Sequence, residues 1–162
     1  MYVAIPVFLL LAVVQTAVLP YFPLFGTVVQ LPLLVVISWT LLHGLEEGLV
    51  WAFVAGLSVD LFSIGPFGAT AVAYITAVLL VFGLEYLLPS GRFFLPLVYA
   101  ALGTFVYLFV YLVFVQLLGY GASFTAVSEL ATLILLNAGF MLPLYWLIFS
   151  IDHAIRPRSV EL

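Results

Sequence analysis

Few side chains in this chain could do chemistry, and each sits in an apolar setting. Asp60 lies in Gly56-Leu57-Ser58-Val59-Asp60-Leu61-Phe62. A carboxylate at membrane depth is costly, and it faces protein or a water-filled cavity. Two roles suit it: holding the turn from Ser63 to Gly68, or lining a pocket or relay. Glu129 and Asn137 form a second pair. They are about two helical turns apart and nearly on one face. Their simpler reading is a dipole partner at a helix N-terminus followed by an interhelical hydrogen bond. The sharper reading joins Asp60, Glu129 and Asn137 in one intramembrane polar pocket. Gln15, Gln30 and Gln116 read as interhelical or interfacial groups.

No catalytic constellation accompanies these residues. The chain has no cysteine, so disulfides, thiol redox chemistry and Cys metal sites are excluded. His43 and His153 are far apart and form neither HxxH nor HExxH, so no metal site and no cofactor are expected. Gly-x-Ser-x-Gly and the phosphate-binding Gly-Lys-Ser/Thr loop are absent. The expectation is a protein that is not an enzyme.

The elements that position these residues follow from composition. Of 162 residues, 67% are hydrophobic and 6% are charged, with a mean hydropathy of +1.41. A soluble domain is about 25% charged, so lipid must be the main solvent. Three arginines and no lysines exclude a polybasic surface for nucleic acid. The start of the chain lacks a basic region and a small-residue cleavage site, so Met1 to Leu162 is read as mature.

Prolines, glycines and charges cut the chain into about six apolar spans, near 3–19, 28–42, 46–62, 69–88, 93–118 and 128–151, with a short cytoplasmic tail at 152–162. The expected architecture is a single all-α polytopic domain, a compact bundle of transmembrane helices. With six spans, Arg92, Arg156 and Arg158 all fall on one side, which the positive-inside rule makes cytoplasmic. Both termini are then inside. Glu46, Glu47, Glu85, Asp152 and Glu161 join the cytoplasmic rim, while Asp60 and Glu129 lie toward the outside. The outer loops are too short to hold an enzyme domain. The aromatics Phe105, Tyr107, Phe109, Tyr111 and Phe114 of the fifth span follow no single face and read as packing and lipid-facing residues.

The third span carries small residues every four positions: Gly44, Gly48, Ala52 and Gly56, with Asp60 continuing the series. Such a ridge lets another helix approach closely in lipid. Internal packing is the simpler use. Docking of a partner's transmembrane helix on Gly48, Ala52, Gly56 and Asp60 is the functional one.

The stretch Gly44 to Gly68 reads GLEEGLVWAFVAGLSVDLFSIGPFG. It resembles the signature of the bacterial rod shape-determining MreD family, in which Gly-Leu-x-x-Asp is followed by a Pro/Leu-x-Gly turn. The matching residues are Gly48, Gly56, Leu57, Asp60, Pro66 and Gly68. The resemblance implies a non-enzymatic scaffold of the elongation machinery for peptidoglycan, in the bacterial inner membrane. Its implied partners are the bitopic protein MreC, then RodA and a class B penicillin-binding protein in a larger complex. Contact with the actin-like MreB is left open, because the chain offers no basic patch for it. Membrane lipid is the remaining partner, and no nucleic acid is expected.

The family fold is thought to be similar to the S-component of energy-coupling-factor vitamin transporters. That gives the alternative function, a substrate-binding S-component. It would need a polar outer pocket, for which Asp60, Glu129, Asn137, Gln116 and Gln30 are the available groups.

Overall fold

The computed structural model of the chain describes residues 4–87, 94–119 and 127–155. Six α-helices follow one another: α1 (Ala4–Val13), α2 (Leu31–His43), α3 (Leu45–Phe62), α4 (Ala69–Leu87), α5 (Leu95–Leu117) and α6 (Val127–Ile155). Among the described residues there is no strand beyond a single bridge, Leu24 to Thr27. Three segments are long and apolar enough to cross a membrane by length and composition: Ala69–Leu87, Leu95–Leu117 and Glu129–Ala154. The chain is an all-α membrane protein.

The other three helices depart from a simple span, each for a visible reason. The first apolar segment leaves α-geometry after Val13, passing through a π-helical turn at Val14–Val18 and a 3₁₀ turn at Leu19–Tyr21. Pro20 supplies no N–H to continue the ladder. Helix α3 has 18 residues but carries Glu46, Glu47 and Asp60. Helix α2 has only 13 residues. At about 1.5 Å per residue it spans about 20 Å, against an apolar bilayer core of about 30 Å.

Helix α2 can be short because it is the centre of the bundle. Every residue from Pro32 to Ser38 is buried, and so is Thr40. An α-helix apolar on all faces needs a partner or lipid on every side. Here α2 touches α1, α3, α4, α5 and α6. The rest of the path is a chain of neighbours, with α3 on α4, α4 on α5 and α5 on α6, while α1 lies against α3. The core gathers Phe8, Leu33, Leu34, Val36, Ile37, Tyr74, Val78, Val81 and Met141. Outward faces remain apolar, as at Leu10, Phe53, Phe105, Phe109 and Leu135.

Two ends of the bundle have different chemistry. At one end Trp39 stacks between His43 and Trp51, at centroid distances of 4.0 and 3.8 Å. Phe8 meets Trp51 edge-on at 5.3 Å. The Trp39 Nε1–H donates to Glu47 at 2.9 Å. His43 Nε2 lies 3.1 Å from Asp152 Oδ1. Asp152 therefore belongs to helix α6, not to a tail beginning at residue 152, because α6 continues to Ile155 and its last turns pack against α2. Arg92, Arg156, Arg158 and Glu161 lie outside the described residues.

Candidate functional site

Asp60 ends the buried face of α3, and the next helix starts where its carboxylate points. The N–H of Gly68 donates to Oδ2 at 2.9 Å, that of Thr70 to Oδ1 at 3.2 Å and that of Ala71 to Oδ2 at 3.4 Å. These are donors at the start of α4 that have no partner within their own helix. A carboxylate there also meets the favourable end of the helix dipole. Gly68 holds φ +91°, a conformation that side-chain-bearing residues rarely adopt, and this turns its N–H back onto Asp60. Pro66 is buried in the same turn, and its carbonyl accepts from Ala69 N–H at 3.2 Å.

Four residues before Asp60, Gly56 brings α3 against α4. A Cβ built there would meet the Cα of Ala71 and lie 2.6 Å from its backbone nitrogen. Two turns earlier Gly48 faces α2, where a Cβ would overlap the Thr40 side chain. Ala52 is fully buried between them. The ridge Gly48, Ala52, Gly56, Asp60 is therefore filled from within, by α2 at one end and α4 at the other. This corrects the expectation that it docks a partner helix. Leu57, on the neighbouring face, is half-buried.

The expected pocket of Asp60, Glu129 and Asn137 is also corrected, because three different environments separate the residues. Glu129 is exposed near the start of α6. Asn137 is fully buried: its Oδ1 accepts from Gln30 N–H and its Nδ2 donates to Thr104, each at 3.0 Å. Gln15 does matching work from the π-helical turn, its Oε1 accepting from Leu31 N–H at 3.1 Å. Asn137 and Gln15 thus satisfy the first donors of α2, whose start is partly buried in the bundle. Gln116 is exposed. Thr104, the Trp39 stack and Asp152's contact with His43 were missed by sequence reasoning. The single-residue break at Gly44 was the one available sign that α2 and α3 share an aromatic end.

The glycine, aspartate and proline spacing from Gly56 to Gly68 encodes this capped hairpin between α3 and α4. The family model for rod shape-determining protein MreD matches residues 1–151.

The chain belongs to the MreD family.

No curated protein and no solved structure matches it. In this MreD-family chain Gly56, Asp60, Pro66 and Gly68 join α3 to α4, while Gly48 seats α3 on α2. Membership places the chain in the determination of rod shape, as a membrane component. Among the described residues, no cluster of His, Cys, Asp or Glu could hold a metal ion.

Proposed function

We propose that this MreD-family chain is a multi-pass, inner-membrane scaffold without enzymatic activity, which docks the transmembrane helix of MreC. Through MreC it would hold RodA and a class B penicillin-binding protein in a complex that builds peptidoglycan. Binding would bias that complex toward its active state, since a partner shifts only states that it binds unequally. The proposal needs no direct contact with MreB.

The observation that carries the reading is the match over nearly the whole chain. The small aqueous surface supports it, because partner contact must then occur largely within the membrane. With the α3 ridge filled, the docking face has to lie elsewhere. Helix α6 offers one: Leu135, Leu136, Gly139, Phe140 and Pro143, with Phe25, line an apolar groove of about 520 Å³. A Cβ at Gly139 would meet nothing within 4 Å, unlike one at Gly48 or Gly56. Pro143 has no N–H, so the carbonyl of Gly139 lacks its usual donor four residues on. A close-packed helix bearing a hydroxyl or amide would satisfy both features.

The alternative S-component reading uses surface small residues to dock a transport scaffold. The inward ridge removes its strongest candidate residues.

Co-purification of MreC with Gly139→Phe tests the proposal. The expected outcome is association weakened about tenfold, equivalent to about 1.4 kcal/mol, with insertion and thermal stability unchanged. Full association by that variant would move the docking face off α6, and failure of the wild-type chain to retain MreC would overturn the scaffold reading itself.

A further inference from the structure

Gln15, Gln30, Ser63, Thr70, Tyr107 and Tyr111 come from five separate segments yet line one cleft, of about 540 Å³. The cleft opens at the Asp60 end of the bundle, with Val28 and Val59 among its apolar wall residues. Its volume is that of a small-molecule site.

The lining carries no charged side chain. Asp60, near by in the turn, already accepts from three backbone N–H groups. A phosphate or carboxylate entering this cleft would lose water without meeting an opposite charge, which is costly, and the one carboxylate near by is already engaged by those N–H groups, which leaves it less to offer an ammonium. Neutral donors and acceptors are plentiful instead. Gln15 is 6% exposed and uses its Oε1 on Leu31. Its Nε2 donors, the Gln30 side-chain amide and the Tyr107 hydroxyl make no hydrogen bond among the described residues. The Tyr107 and Tyr111 rings lie 5.9 Å apart, tilted by 34°. Amides and hydroxyls act as donor and acceptor at once, and aromatic rings supply apolar faces beside them.

We propose that this cleft binds an uncharged, hydroxyl-rich ring, a sugar unit, either free or at the head of a glycolipid. A sugar presents hydroxyls that give and accept hydrogen bonds around a ring with apolar C–H faces, and it brings no charge. The inference stands on the cleft and not on the docking of MreC, so either can fail alone.

The test uses the full chain in phosphatidylcholine nanodiscs, with thermal stabilisation as the readout, since a ligand of the folded state raises its melting temperature. Four probes are compared: methyl β-glucoside in solution, glucosyl-diacylglycerol in the disc, diacylglycerol without sugar, and N-acetylglycine methylamide as a neutral peptide. Saturable stabilisation by the glucoside identifies free sugar, and stabilisation by the glucosyl lipid alone identifies a lipid headgroup. Binding is expected to weaken about fivefold in Gln30→Leu and in Tyr107→Phe, the loss of one neutral hydrogen bond each. Both variants spare the Gln15 contact that caps α2, and their unliganded melting temperatures check folding. Tyr111→Phe replaces either one if it fails to fold. No stabilisation by either sugar probe, equal stabilisation by diacylglycerol, tighter binding of the peptide amide, or undiminished binding in the folded variants would overturn the proposal.

Discussion

At the scale of single residues, polar groups in this protein repair backbone ends. Asp60 takes up three N–H groups of the turn and first turn of α4. Asn137 and Gln15 do the same for α2. Buried donors left without acceptors cost about 1–3 kcal/mol each. Asp60→Ala is therefore expected to lower the melting temperature in detergent strongly, with Asp60→Asn falling between it and wild type because one acceptor oxygen survives. Differential scanning fluorimetry measures this, and an unchanged Asp60→Ala would remove the capping role. The sequence identified Asp60 as anomalous and named the Ser63–Gly68 turn as one of its two destinations. It could not select between turn and pocket, because hydrogen-bond partners eight to eleven residues away depend on how the chain turns at Gly68.

At the scale of elements, glycines differ by what stands opposite them. Gly56 faces the backbone of Ala71, which cannot retreat without moving α4. Gly56→Leu is expected to abolish folded, monodisperse protein, and size-exclusion chromatography after mild solubilisation reads this directly. Gly83 is the opposite case. It is exposed on α4, and a Cβ there would meet nothing within 4 Å. Gly83→Ala is expected to stabilise the chain by about 0.5–1 kcal/mol through helix propensity alone, visible as a higher melting temperature. Helix ends were legible within a few residues wherever Pro, Gly or charge interrupts an apolar run, as at His43-Gly44 and at Ser63 to Pro66. The irregular exit of the first segment at Val14–Val18 was not legible, since nothing in VQTAV forbids an ordinary α-helix. Its π-helical turn instead accompanies Gln15 reaching Leu31 in a neighbouring helix.

At the scale of the whole molecule, the two ends of the bundle can be told apart by chemistry. The Trp39–His43–Asp152 end is expected inside and the Asp60 end outside. The chain lacks cysteine, so single-cysteine labelling has no background. Ile64, fully exposed in the turn after Asp60, is the outer reporter, and His153, exposed near the end of α6, is the inner one. Ile64→Cys should react with an impermeant maleimide in intact spheroplasts, and His153→Cys only after permeabilisation. The reverse pattern would invert the orientation and turn the neutral cleft toward the cytoplasm.

The sequence by itself determined the solvent, the helical class, most break points and, through the Gly56 to Gly68 spacing, the family. Hydropathy and chain-breaking residues act locally, so a linear reading can reach them. The tertiary structure alone decided which way each helix turns. In water, an apolar stripe shows which face is buried. In lipid, outward and inward faces are both apolar, so that contrast is erased and close packing selects the interior. The ridge of Gly48, Ala52 and Gly56 was visible as a ridge, but only the positions of Thr40 and Ala71 show that the chain itself fills it. For the same reason α2, one apolar run among six in the sequence, emerged as the buried axis on which the others pack.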